Sequence, residues 1–247
     1  MNLIANSRFK FFPQLNDFEQ VAWLSSRQKL QPEFTSEYFG SESLQDKLLT
    51  AIAAERLLPV KEVFETFEFF ARIRKTVRTA VVADLCCGHG LLGILFALFE
   101  REVQRVILID QNEPLSRQKL IAVAGEVAPW IVDKIDNRES KISTSDKWIK
   151  PGIAVVSAHA CGVLSDLCID VAIKSGGPIG ILPCCYPRSA CEAPLALQTQ
   201  FGMQAAFDID RTYRLQAAGY RVRWGTIPSA ITPMNRLIYG QIPKSRA

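Results

Sequence analysis

Apolar residues recur at helical spacing before residue 79 and in short runs separated by polar turns after it. Val60, Val63, Phe64, Phe67, Phe70 and Ala71 follow i, i+3, i+4, i+7 intervals, which is one face of a helix. Lys61, Glu62, Glu65 and Glu68 fall mostly on the other side. Ser43-Leu44-Gln45-Asp46 reads as a capping box that opens an earlier helix, with Pro59 as its end. Residues 1–78 are therefore expected to form an N-terminal helical extension packed on a main core, with a lid or substrate platform as the alternative. Residues 79–247 alternate strand, loop and helix. TAVVADL (79–85) and RVILID (105–110) predict strands, with LLGILFALFE (91–100) a helix between them. Residues 114–132 predict a helix broken near Pro129. A weak third strand is expected over SKISTSD (140–146), and strong ones over GIAVVSAH (152–159) and GPIGILP (177–183). A helix over 208–220 stops at Gly219 as a left-handed residue. RVRWGTI (221–227) and NRLIYGQI (235–242) then pair as an antiparallel ribbon.

Alternating strands and helices imply a mostly parallel sheet covered on both faces. Ligands of such sheets sit beyond the carboxyl ends of the strands, at the switch point. The unusual residues of this chain fall at those ends: Asp84, Cys86 and Cys87, then Asp110, then His159 and Cys161, then Cys184, Cys185 and Tyr186.

Composition changes this picture little. Hydrophobic residues make up 48% of 247 and charged residues 22%, which suits a soluble globule. A net charge of +4 mildly favours an anionic partner, but the basic residues are scattered, densest at Arg72, Arg74, Lys75 and Arg78. Seven cysteines, an odd number with two adjacent pairs, show no disulfide framework and point to reduced thiols in a cytoplasmic protein. The opening residues lack an apolar signal region, and the longest apolar run, Leu91 to Phe99, is too short to span a bilayer, so no membrane partner is expected.

Gly88-His89-Gly90-Leu91-Leu92-Gly93 spells the dinucleotide fingerprint G-x-G-x-x-G. In that fingerprint the first glycine comes directly off an apolar strand, whereas here Asp84 ends the strand. Asp84-Leu85-Cys86-Cys87-Gly88-His89-Gly90 instead resembles the Asp-x-Gly-x-Gly-x-Gly loop of S-adenosylmethionine-dependent methyltransferases, with Cys86 in place of the first glycine. Cys86 either tightens the pocket or marks a β or right-handed conformation that a side chain tolerates. Gly93 reads as a helix–sheet packing glycine. Asp110, with Gln111 beside it, is placed to accept hydrogen bonds from ribose hydroxyls, a feature shared by both cofactor classes.

VVSAHACGVLSD (155–166), GGPIGILPCCY (176–186) and IPSAITPMNRLIYG (227–240) together resemble a methyltransferase-domain family with H-A-C-G and C-C-H or C-C-Y motifs. It includes eukaryotic tRNA 2′-O-methyltransferases and glutathione-transferase-C-terminal-domain-containing proteins. The resemblance covers residues 79–247. It implies a Rossmann-like class I methyltransferase fold: a mostly parallel seven-stranded sheet with an antiparallel C-terminal strand. It also implies S-adenosyl-L-methionine as cofactor, held by Asp84, Gly88, Gly90 and Asp110, with His159, Ala160, Cys161 and Gly162 as pocket floor. The implied partner is a methyl acceptor, with RNA, at a tRNA 2′-hydroxyl, as a candidate. Ser165 stands where threonine is commoner, and Tyr186 where the tRNA enzymes have histidine; their zinc-binding Cys/His module has no counterpart here.

Methyl transfer to a hydroxyl needs near-attack geometry and removal of a proton. His159 is a candidate base or a structural histidine, while His89 reads as a loop residue. Asp166 reads as a helix cap, with a bond to His159 or the cofactor as the catalytic alternative. Asp146 follows the expected third strand, where many such enzymes bind the adenine amine. Cys184 is a candidate nucleophile, and Tyr186 a further catalytic candidate. A metal site from His159, Cys161 and Cys184 or Cys185 matches no standard closed zinc spacing, so no structural metal is expected. Asn235 and Arg236 read as a turn, or as a substrate edge with Arg236 on phosphate. The alternatives to a methyltransferase are an NAD-dependent oxidoreductase and a non-catalytic scaffold with the cofactor fold.

Overall fold

A computed structural model describes residues 7–18 and 21–243. Among the described residues, two 3-10 turns (Pro13–Asp17 and Ala22–Ser25) precede three α-helices: α1 (Pro32–Tyr38), α2 (Leu44–Ala54) and α3 (Val60–Val77). Ser43 caps α2 by accepting the Asp46 N–H, but the Asp46 carboxylate turns to the Ser41 N–H and hydroxyl, so the capping box closes one residue pair short. Helix α2 ends at Ala54, and Pro59 instead precedes α3 as its N-cap.

The sheet contains β1 (Val81–Leu85), β2 (Arg105–Asp110), β3 (Ile135–Glu139), β4 (Ala154–Ala158), β5 (Ile179–Leu182), β6 (Arg221–Thr226) and β7 (Arg236–Gln241). Its order is β3-β2-β1-β4-β5-β7-β6, parallel except for β7, which runs antiparallel to β5 and β6. This is the Rossmann-like class I methyltransferase architecture. Helices α4 (Leu91–Phe99), α5 (Leu115–Val127), α6 (Val163–Ser175), α7 (Leu195–Phe201) and α8 (Met203–Ala217) complete the chain. Helix α8 stops as expected, with Gly219 left-handed at φ 88°.

Residues alternate between two cores, as strand geometry requires. Val82, Val106, Leu108 and Val156 face α3, α4 and the N-terminal segment; Ala83, Ile107, Ile109 and Val155 face α6, Leu215 of α8 and Tyr220 just after it. The expected boundary at residue 78 thus falls between α3 and β1, which share one continuous core.

Two expectations are corrected. The third strand is Ile135–Glu139, not 140–146; residues 142–147 form a 3-10 turn. IDNRE lacks apolar alternation because it is an edge strand, partly exposed along its length and held by pairing with β2. Helix α3 is buried on the side that reads as polar: Glu65 and Glu68 are both buried. The Glu68 carboxylate accepts the backbone N–H groups of Lys10 and Phe11 and pairs with Arg72, so it anchors the N-terminal segment. A buried carboxylate saturated in this way replaces its lost hydration.

Candidate active site

The carboxyl ends of β1, β2 and β4 open onto a cavity of about 590 Å³ at the point where the strand order reverses. Its wall begins with the loop after β1. Cys86, Gly88 and Gly90 have φ of 54°, 53° and 79°, so every second residue is left-handed. Glycine enters this region without steric cost, whereas a residue with a Cβ is strained there. Cys86 therefore occupies a glycine conformation, and neither conformation expected for it is found. The nearby Cys168 thiol of α6 draws the Cys86 thiol pKa down against the effect of burial. A Cβ on Gly88 would meet nothing within 4 Å, so the loop leaves open space at that residue for a ligand.

Gly93 packs α4 onto β2. A Cβ there would lie 2.3 Å from Leu108 Cδ2 and 2.8 Å from Val106 Cγ1. The Gly93 N–H donates to Asp84 Oδ2 at 3.0 Å. Asp84 is only 1% exposed, and burial pushes its carboxyl up to about 7 despite that hydrogen bond. Asp110 accepts the Gly88 N–H at 2.9 Å through Oδ2 and the Asn112 N–H at 3.3 Å through Oδ1. Gln111 follows it on the cavity wall. Sequence reasoning missed Arg117. This guanidinium, fully buried in α5, donates to Gly88 O at 2.7 Å, Asn112 O at 2.8 Å and Asn137 Oδ1 at 3.1 Å. It fastens the glycine loop to the segment after β2 and to β3.

The opposite wall comes from α3, which places Glu62 and Thr66 on the cavity. Both histidines of the chain meet glutamates of this helix. His159 Nε2 lies 3.2 Å from Glu65 Oε2, and His89 Nε2 lies 3.5 Å from Glu62 Oε2. His89 Nδ1 accepts the Leu91 N–H, so its proton sits on Nε2 toward Glu62, and the contact draws the Glu62 carboxyl down. His159 has a left-handed backbone, φ 66°, and lines the cavity with Cys161. Neither His159 Nε2 nor Glu65 Oε2, both buried, has a hydrogen bond of good angle despite their closeness. These glutamates are 62 and 65 of one helix, and that i, i+3 carboxylate pair within a phenylalanine-rich run was the signal available in the sequence.

The remaining candidates, Asp146 aside, are not among the residues that line the cavity. Asp166 does not cap α6; it pairs with Arg211 at 2.9 Å and Arg214 at 2.9 Å. These two arginines of α8 lie across from it, and a cap at Gly162 leaves Asp166 a full turn too late. The Tyr186 hydroxyl donates to Asp208 at 3.2 Å, and burial raises its pKa. Asp208 also receives Arg236 at 2.8 Å, while the guanidinium lies over the Trp224 ring, so Arg236 is engaged internally rather than presented to phosphate. Asn235 is buried and donates to Ile227 O, which is the turn reading. Cys184 lies with Cys161 and Cys185 in a group from which His159 is absent. Asp146 belongs to the 142–147 turn, and its side chain lies outside the described residues. Among the described residues no helix is long and apolar enough to cross a membrane.

Residues 59–191 match the family described as a methyltransferase domain. A glutathione S-transferase C-terminal domain-containing protein of Xenopus laevis is 26% identical over 196 residues, covering 64% of this chain and 30% of the relative. The chain thus spans less than a third of that relative's length. A SAM-dependent methyltransferase of Aquifex aeolicus is similar over 87% of this chain and 100% of its own, at 14% identity and a TM-score of 0.46. The fibrillarin pre-rRNA processing protein of Methanococcus jannaschii is similar over 67% of each chain, at 14% identity and a TM-score of 0.46. With the match running from α3 through the loop after β5, more than half its length, the chain belongs to the methyltransferase-domain family.

Proposed function

We propose that this chain is an S-adenosylmethionine-dependent methyltransferase, with a hydroxyl of RNA as the favoured acceptor. The observation that carries the reading is the loop with left-handed residues at 86, 88 and 90, opening on the cavity between Asp84 and Asp110. The residues fit the cofactor. Open space at Gly88 admits the amino-acid part, the Asp84 carboxylate suits its ammonium group, and Asp110 has acceptor capacity left for ribose hydroxyls. Once bound, the cofactor supplies an electrophilic methyl group on a sulfonium. This chain must then hold the acceptor in line and take its proton. His159 is the group proposed to take it, with Glu65 behind the ring to orient it and stabilise the charge that forms. Glu62 meets His89 and so ties the glycine loop to α3.

The RNA acceptor rests on the resemblance of the HACG motif and the Cys184-Cys185 pair to tRNA 2′-O-methyltransferases, from which Tyr186 departs. Calorimetric titration with S-adenosylmethionine and with NADH tests the cofactor. Saturable NADH binding without the sulfonium cofactor would establish the oxidoreductase alternative instead. Nucleoside mass spectrometry of RNA from cells with and without the gene tests the acceptor, and an unchanged profile would direct the search to small molecules or proteins. If Asp84→Ala abolishes cofactor binding while a cellular phenotype persists, the chain acts as a scaffold.

A further inference from the structure

Beside the cavity, three thiols meet. Strands β4 and β5 are parallel neighbours with Ala158 opposite Leu182, so the loops after them leave the sheet side by side. Gly162, with φ 57°, lets the first loop pack against Pro187 of the second, which a Cβ would approach to 3.2 Å. The result brings Cys161 Sγ to 3.2 Å from Cys184 Sγ and 3.4 Å from Cys185 Sγ, with 3.6 Å between the last two. All three are free thiols, Cys161 and Cys185 are exposed, and Cys161 also lines the cavity.

We propose that Cys161, Cys184 and Cys185 form a three-thiolate site for a single zinc ion at the edge of the cofactor cavity. Zinc holds thiolates at about 2.3 Å, which places tetrahedral sulfurs about 3.8 Å apart. The present spacing needs the sulfurs to spread by about 0.2 to 0.6 Å. Thiolate donors select soft or borderline ions, and the closeness of all three sulfurs suits one ion rather than a cluster. Among the described residues no fourth histidine, cysteine or carboxylate joins the group. The fourth position is therefore left to water or an exchangeable ligand, the arrangement of reactive rather than closed zinc sites. Binding is balanced by protons: each thiol that coordinates releases one to solvent, three for each ion taken up. Three neighbouring thiolates would repel one another strongly without a cation between them. The site differs from the His159 combination weighed from sequence, because that imidazole meets Glu65 instead.

The test is a titration of the reduced full chain with cobalt(II), followed by zinc(II). The expected result is one equivalent bound, a sulfur-to-cobalt charge-transfer band, its loss on adding zinc, and release of up to three protons. Cys184→Ser and Cys161→Ser are expected to weaken binding at least a hundredfold, and Cys191→Ser to leave it unchanged. Circular dichroism shows whether each variant is folded. Should the variants unfold, alkylation of the native chain gives the answer, with zinc expected to shield three of the seven cysteines. No uptake by the reduced protein would overturn the proposal, as would binding that survives both folded serine variants. So would a Cys161–Cys184 disulfide forming in air, with a mass loss of two hydrogens, in a protein that takes up no metal when reduced. The readout is metal, so it stands apart from the outcome of any methyl-transfer assay.

Discussion

If Asp84 meets the cofactor's ammonium group as proposed, binding should be sensitive to pH. In the free protein burial raises its carboxyl to about 7, so near pH 5.5 it is almost wholly protonated. Binding a cationic group beside it favours the ionised form, and the proton must leave. If ionised Asp84 is required, affinity falls by the fraction of protein that must first lose its proton. With a pKa of about 7 that factor is roughly 25 between pH 7.5 and pH 5.5, or about 1.9 kcal/mol at 1.36 kcal/mol per tenfold unit. The window stays below the α-amino range, about 7.7 to 8.0, so the cofactor's own ammonium stays mainly charged and loses only a small part of the effect near pH 7.5. Calorimetry with S-adenosylmethionine at pH 5.5, 6.5 and 7.5 should show affinity rising with pH and proton release greatest at the lower end. Asp84→Asn can still accept the Gly93 N–H, and it should bind weakly with a flattened profile. A native affinity independent of pH, or an Asp84→Asn variant with the native slope, would refute the reasoning. The same group has the opposite effect on stability. Its native pKa lies above the ordinary 3.8, so the folded state holds a proton that the unfolded chain releases. The stability that it contributes is fully present below about pH 4 and lost as pH rises through about 7. Urea titrations of the ligand-free protein should show that decline in the native chain and less of it in Asp84→Asn.

Glu65→Gln keeps the shape beside His159 and removes the charge; turnover should fall at least tenfold with little change in cofactor affinity, read by single-turnover kinetics with titration of the cofactor. Cys86→Gly should leave stability within about 1 kcal/mol of the native protein, while Cys86→Val should cost about 2 kcal/mol, because only the first suits φ 54°; equal losses in denaturant titrations would show that the thiol, not the backbone, matters. Gly93→Ala should destabilise by about 1–3 kcal/mol, since its Cβ would fall 2.3 Å from Leu108 Cδ2, and a native melting profile would contradict that. Glu68→Ala leaves Arg72 without its buried partner and should cost about 3–5 kcal/mol, with early proteolysis near Lys10 as a second readout.

The parallel strands were legible wherever they were wholly buried. β1, β2, β4 and β5 are mainly apolar on both faces, and their carboxyl ends carry the residues that drew attention in the sequence. β3 was not legible, because an edge strand of mixed polar character takes its conformation from hydrogen bonds to β2, and pairing leaves no periodic trace in IDNRE. Helix α3 shows a different loss. Its apolar face was visible, but the i, i+4 pairs of Glu65 with Lys61 and Glu68 with Arg72 read as an ordinary solvated helix face, and the partners that bury these glutamates, His159 and Lys10, lie 94 and 58 positions away. Arg117 was hidden for the same reason: its partners are mostly backbone carbonyls, which no side-chain pattern records. The loop glycines were read as close-approach residues, and Gly88 and Gly90 do adopt the left-handed backbone that favours glycine. Cys86 was misjudged because its residue type argued against the left-handed conformation that the alternation with Gly88 and Gly90 imposes.

The placing of β7 constrains the order in which the sheet can assemble. β7 follows β6 in the chain yet lies between β5 and β6, so β6 has no route into the sheet except through β7. The two strands can pair early as a local hairpin, since only residues 227–235 separate them. The hairpin must then dock on β5 as a unit. Helix α3 packs against β4, β5 and β7, so one of the first long helices to be synthesised finds part of its resting surface only when β7 arrives. During synthesis the apolar face of α3 therefore waits, partly uncovered, for the end of the sheet. That interval is where a chaperone would act on this chain and where a stalled or truncated product would be most prone to aggregate.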